Sequence, residues 1–325
     1  MKKRSVLAIL VGASVMLTAA GCASTSSAGD EPAEEGLTIG LVIPFANDYY
    51  QNIQTALEEV VEADGGEVIV ANSENDGSKE AANVQNLITR QVDAIIIQPA
   101  NAAAGSIATM KTVKAAGIPL ICFGNCTDDA ASPEVVDGAI QSDNEALGTS
   151  TGEMAAEYIK ANLDGTAKIA ILNCDSFEVC VFRKNGFKEA LEAAGVTVEY
   201  VADQEAFVAD KATTVATNII TANPDIDLFW SASHDGTVGE IAAIAATGAS
   251  MKVFGTDMSV QLAEAILDGQ LQATTGQDEA ATATGAYEMA KKVIDGGTNS
   301  PIEVLVPGIG FNSTAPDEIN AYLGQ

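Results

Sequence analysis

"LTIGLVIPFANDYYQNIQTALEEVVEADGGEVIVAN", Leu37 to Asn72, changes its hydrophobic period twice. The opening "LTIGLVIP" is a nearly unbroken, β-branched apolar run, the composition of a strand buried on both faces of a parallel sheet. From Tyr49 to Ala63 the pattern becomes helical, with Ile53, Leu57, Val60 and Val61 on one face and Gly65 and Gly66 as the stop. "EVIVAN" then reads as a second strand. The unit repeats outward: strands are predicted at "DAIIIQP" and "IPLICFG", separated by helices starting near Ser78 and Ala102. A second series follows "QSDNEALG", with a helix to about Asn162 and strands "AKIAIL", "VTVEYV", "DLFWSA", "MKVFGT" and "LQATTG". A long helix from Asp278 to Asp295 precedes a further strand, "IEVLVP". Strands alternating with helices predict an α/β protein with doubly wound parallel sheets, one in each half. No Pro/Gly/Ser-rich linker separates the halves, so two rigid lobes with a ligand cleft between them are expected. The residues to inspect follow the carboxyl ends of the strands.

The chain of 325 residues is 47% apolar, enough for a large core and for two domains. Its first 21 residues read as a targeting segment: Lys2, Lys3 and Arg4, an apolar core from Val6 to Leu17, then small residues before Cys22. That core is shorter than a membrane span. The segment resembles the leader and lipobox of bacterial lipoproteins, with Ala19 where leucine is usual, which implies a lipidated Cys22. "ASTSSAGDEPAEEG" cannot bury apolar area, so residues 22–36 are expected to form a flexible tether that leaves the domain outside the cytoplasm. The formal net charge is −29, and removing the leader takes away three bases and no acids. So acidic a chain repels phosphate backbones, which argues against nucleic acid as a partner.

The strings "IGLVIPFANDYYQNIQTAL", "EAANVQNLITRQVDAIIIQPAN", "KAAGIPLICFGN", "QSDNEALGTSTGEMAAEYI", "RKNGFKEAL", "NPDIDLFWSASHDGTVGEIAAI" and "VFGTD", in this order, resemble the ribose- and galactose-type periplasmic sugar-binding proteins. The resemblance implies two lobes joined by three chain crossings, residues 37–142 plus 278–304 and residues 143–277 plus 305–325. It implies a monomeric, non-enzymatic protein without a cofactor that captures a small sugar or polyol and delivers it to the membrane permease of an ABC importer. The same shell could instead present its closed form to a membrane receptor kinase. A leader stands where the related transcriptional regulators carry DNA-binding helices, which excludes that branch.

A sugar site needs aromatic plates for ring faces and polar forks for hydroxyls. The resemblance carries these roles onto Tyr49 and Tyr50, with Asn47 before them, and onto Phe207 as a further plate. It puts Arg183, whose guanidinium offers five donors, and Asp257 in the cleft, with Gln98, Ser142 and Gln277 as further polar contacts. Three positions depart from the family. Gly124 and Asn125 stand where an acid is usual, His234 where an asparagine is usual, and Thr256 where a third aromatic is common. These departures argue against ribose itself and make Asn125 and His234 candidate contacts. Trp230, close to His234 in sequence, is a candidate reporter of closure.

Cys122, Cys126, Cys174 and Cys180 read as disulfides outside the cytoplasm, with three pairings open. The resemblance puts one pair on each lobe and implies Cys122–Cys126 and Cys174–Cys180, because a bridge between pairs would lock the shell. A thiol and His234 metal centre is the competing reading. No G-x-S-x-G, Walker loop or H-E-x-x-H is present.

Overall fold

The computed structural model describes residues 36–100, 104–126 and 132–324; the leader, the lipidation site Cys22 and nearly all of the tether lie outside the described residues. The first series runs β1 (Thr38–Ile43), α1 (Asp48–Ala63), β2 (Glu67–Asn72), α2 (Gly77–Arg90), β3 (Ala94–Ile97), α3 (Ala104–Ala115), β4 (Leu120–Phe123) and β5 (Gly138–Ser142). The second runs α4 (Asn144–Asn162), β6 (Thr166–Asn173), α5 (Glu178–Ala193), β7 (Thr197–Glu205), α6 (Ala209–Ala222), β8 (Leu228–Ser231), α7 (His234–Thr247), β9 (Lys252–Thr256), α8 (Val260–Leu267) and β10 (Ala273–Gly276). Then come α9 (Glu279–Ile294), β11 (Glu303–Val306), β12 (Ile309–Asn312) and α10 (Pro316–Tyr322).

Two six-stranded sheets result, ordered β11-β5-β4-β3-β1-β2 and β12-β10-β9-β8-β6-β7. Their pairings are parallel except β10 with β12, which is antiparallel. The chain passes from the first sheet to the second after β5, returns after β10, and passes again between β11 and β12. A lobe limit between residues 304 and 305 would cut β11, whose Leu305 and Val306 pair with Gln141 and Ser142 of the first sheet. Among the described residues no helix is long and apolar enough to cross a membrane.

Local chemistry sets the helix starts. Asn47 caps α1 through Tyr50 N–H, Asp76 caps α2, Asp143 caps α4 and Asp278 caps α9, each carboxylate or amide oxygen accepting an amide proton that the helix cannot use. In α1, Tyr50, Ile53, Leu57 and Val61 are buried against β1 and α9, the face that the helical period predicts. Trp230 is fully buried and stacks on Phe187 at 4.4 Å, so it faces the core of the second lobe rather than the cleft.

Helices α4 and α5 touch backbone to backbone. A Cβ at Gly148 would overlap the carbonyl of Arg183, and one at Gly186 would overlap the carbonyl of Glu145. Only glycine allows this approach. The two disulfides close short loops at strand ends: Cys122 bonds Cys126 beyond β4, and Cys174 bonds Cys180 at the start of α5, with Cα separations of 6.1 and 5.5 Å. All four thiols are thereby unavailable as thiolate ligands.

Two buried acids contrast. Glu80 receives the Ala100 N–H and the Ser106 hydroxyl on one oxygen. Glu240, fully buried on α7, has no partner on either oxygen among the described residues, and burial pushes its carboxyl well above the usual range. A folded-state value above the unfolded one means that its contribution is fully present at acid pH and is lost as pH rises. Glu240→Met is therefore expected to stabilise the protein at neutral pH by about 1–3 kcal/mol, with a smaller gain near pH 4.5. Denaturant melts at the two pH values check this; equal or reversed gains would contradict it.

Candidate functional site

The second lobe supplies the charged part of the site. Arg183, on α5, is only 7% exposed and therefore needs partners. Its Nε donates to Asn144 Oδ1 at 2.9 Å, and its Nη1 donates to the Ala232 carbonyl and to Asp257 Oδ2, both at 3.1 Å. Among the described residues nothing accepts from Nη2, which leaves two donors for a solute. Asp257, at the end of β9, holds a left-handed φ of 71°, sparsely populated for a residue with a side chain. Four hydrogen bonds fix it there besides the Arg183 pair. Its N–H donates to Thr275, its carbonyl accepts from Thr274, and its carboxylate accepts from His234 N–H and from Gln277 Nε2. His234 begins α7 behind the Ser233 cap; its Nδ1 lies 3.0 Å from Asp235 and its Nε2 2.9 Å from Ser259 Oγ.

Ser142 and Gln277 sit at two of the chain crossings, and the Ser142 hydroxyl donates to Gln277 Oε1 at 2.7 Å. Because the Gln277 amide also donates to Asp257, one hydrogen-bonded line runs from the hinge to the charged pair. Movement at the crossings would be felt at Arg183.

The first lobe supplies the rings. Tyr49 and Tyr50 meet edge to face, centroids 5.0 Å apart, but differ in role. Tyr50 is 6% exposed and packs edge-on against Phe123, so it is a core residue with one edge on the cleft. Tyr49 is the more open ring. Burial pushes both phenols up, with Gln98 opposing at Tyr50 and the Arg183 charge opposing at Tyr49, so both stay neutral hydrogen-bonding groups at ordinary pH. Gln98, at the end of β3, is 9% exposed and its Oε1 has no partner among the described residues. Gly124 (φ 65°) explains one departure: a Cβ there would run into Gln98 Oε1 and stand 3.4 Å from Tyr49 Oη, so an acidic side chain would be strained and would have to displace Gln98.

These groups line one cavity of about 610 Å³ at the carboxyl ends of both sheets. From the first lobe come Asn47, Tyr49, Tyr50, Gln98 and Asn125; from the second come Arg183, His234 and Asp257; from the crossings come Ser142 and Gln277. Phe207 is not among the lining residues. It stands after β7, edge-on to Phe177 at 5.2 Å and packed on the core, which is where an apolar ring at that strand end finds cover. Thr256 is fully buried and donates to the Ser231 carbonyl, a structural bond. The cavity also holds residues that the sequence reading did not single out: Phe45, Asn144 and Ser259, and the carboxylates of Asp48, Asp235 and Glu279. Glu279, at the first turn of α9, has its carboxyl pushed up to about 7, chiefly by burial and further by Asp278 and Asp257, with its own N–H opposing. Among the described residues no group of His, Cys, Asp and Glu is arranged to hold a metal ion. The arrangement suits a small polar solute: ring faces on one side, a buried guanidinium–carboxylate pair on the other.

Comparison with known proteins agrees with this geometry. The sequence pattern of the periplasmic binding protein domain matches residues 39–298. The chain is 33% identical over 243 residues to the ABC transporter periplasmic-binding protein YphF of Escherichia coli, covering 74% of each. It is 29% identical to the ribose import binding protein RbsB of Bacillus subtilis, covering 90% of this chain and 94% of that one. A solute-binding protein of Actinobacillus succinogenes, solved with bound D-allose, superposes with a TM-score of 0.74 at 25% identity, covering 87% of this chain and 99% of that one. Two parallel-sheet lobes, three crossings and a polar cleft at the strand ends thus accompany a family match over most of the chain, which belongs to the periplasmic binding proteins of the ribose/galactose type.

Proposed function

We propose that this protein captures a small polyhydroxylated solute, a monosaccharide or polyol, in the cavity between its sheets and delivers it to the membrane permease of an ABC importer. The observation that carries this reading is that Tyr49 and Arg183 line the same cavity, with Nη1 of Arg183 held by Asp257 and its Nη2 donors without an acceptor among the described residues. Vicinal hydroxyls accept from a guanidinium and donate to a carboxylate, and a ring packs the sugar's C–H face. The cavity volume lies in the range of small-molecule sites. The names of the relatives, ribose import binding protein and the D-allose complex among them, support the solute class. The lipid anchor at Cys22 and a monomeric state complete the reading, with the protein tethered outside the cytoplasm.

Thermal melting of the chain from Gly36 to Gln325 against pentoses, hexoses and polyols tests it. A solute present at a hundred times its dissociation constant adds about 2.7 kcal/mol of stability. One sugar or polyol giving such a gain supports the reading; no gain with any of them overturns it.

A further inference from the structure

Glu279 stands apart among the carboxylates of the cavity. Asp257 bonds Arg183, Asp235 bonds His234, and Asp48 lies exposed on the rim. Glu279 is partly buried, and its charged neighbours, Asp278 and Asp257, are both acids. Among the described residues no lysine, arginine or histidine pairs with it. The groups that act on it from other elements are the Asp257 carboxylate after β9 and the neutral phenols of Tyr49 on α1 and Tyr322 on α10, so among the described residues its own N–H, and no cationic side chain, offsets its charge.

A second acceptor in the same cavity also lacks a donor. Gln98 Oε1 is buried and has no partner among the described residues, and the space over Gly124 brings it close to the Tyr49 hydroxyl. Around Tyr49 there are thus a carboxylate without a cationic partner and an unserved amide oxygen. A solute hydroxyl brings one donor and no charge. A protonated amine brings three donors and the missing positive charge, and the faces of Tyr49 and Phe45 suit a cation.

We propose, resting on the solute-binding reading above, that the solute is an amino sugar or amino polyol whose ammonium group is held by Glu279 and Gln98 while its hydroxyls meet Arg183 and Asp257. The test is calorimetric titration at pH 7.5 with matched pairs: D-glucosamine and D-glucose, D-galactosamine and D-galactose, scyllo-inosamine and scyllo-inositol. In at least one pair the amine is expected to bind about tenfold or more tightly than its hydroxyl counterpart, as a charge-assisted bond allows. Glu279→Gln is expected to abolish that preference, and Glu279→Asp, which keeps the charge, to retain part of it. Equal or tighter binding of the hydroxyl member, or a preference unchanged in Glu279→Gln, overturns the amine inference while leaving the sugar reading intact. Binding of neither member in any pair overturns the amine inference, and the melting panel of neutral sugars then decides separately whether the broader reading falls with it.

Discussion

Replacing Arg183 by alanine is expected to weaken solute binding by about thirtyfold or more, because truncating one member of a buried charge pair costs about 2–5 kcal/mol. Two losses combine. The free Nη2 donors disappear from the cavity, and Asp257, already in a left-handed conformation, keeps its charge without the cation that offsets it. The Ala232 carbonyl and Asn144 lose their donor as well. A drop in melting temperature should therefore accompany the lost affinity. Arg183→Lys keeps the charge but not the fork, so it should recover part of the stability and little of the binding. Titration of the solute that stabilises the wild type, beside a melt of each variant, checks both effects. Undiminished affinity in Arg183→Ala would remove the guanidinium from the site.

Gly148→Val is expected to be comparably damaging although residue 148 touches no solute. Its Cβ would occupy the space of the Arg183 carbonyl, so α4 and α5 must separate. Overpacking of this kind costs about 1–3 kcal/mol, and here the helix that moves carries the binding arginine. Stability and affinity should fall together, affinity by about tenfold for each 1.4 kcal/mol of misplaced contact. Gly105→Ala is the control: it lies on α3 with open space around it and should leave both properties unchanged or slightly improved. A Gly148→Val protein that melts and binds like the wild type would show that the close helix contact does not position Arg183.

The alternation of strands and helices was legible because parallel strands buried on both faces leave long apolar runs, as in "AIII" and "LICF", where every residue is buried. The elements that escaped notice are short or carry mixed patterns. β5, "GAIQS", combines a glycine with polar residues; β11 was read at "IEVLVP", but its burial is mixed, so the lobe limit beside it could not be placed to the residue. Arg183 and Asp257 were legible through their motifs. The division of labour between the tyrosines was also present in the sequence: Tyr50 lies three and seven residues before Ile53 and Leu57, which puts it on the buried face and turns Tyr49 to the cleft. Phe207 misled because an aromatic at a strand end gives no sign of whether it meets solute or, as here, another ring. Glu279 gave no signal at all in a chain with 45 acids; only its burial beside a crossing marks it.

The central claim is that one solute sits between the two sheets, against Tyr49 and Arg183. A crystal structure of the protein with the sugar, polyol or amino sugar that raises its melting temperature most would test this directly. The account predicts the solute in the cleft, its ring on Tyr49, with oxygen or nitrogen atoms within hydrogen-bonding distance of Arg183 Nη2 and Gln98 Oε1. A solute bound elsewhere on the molecule, or in the cleft without contact to Arg183, would contradict it.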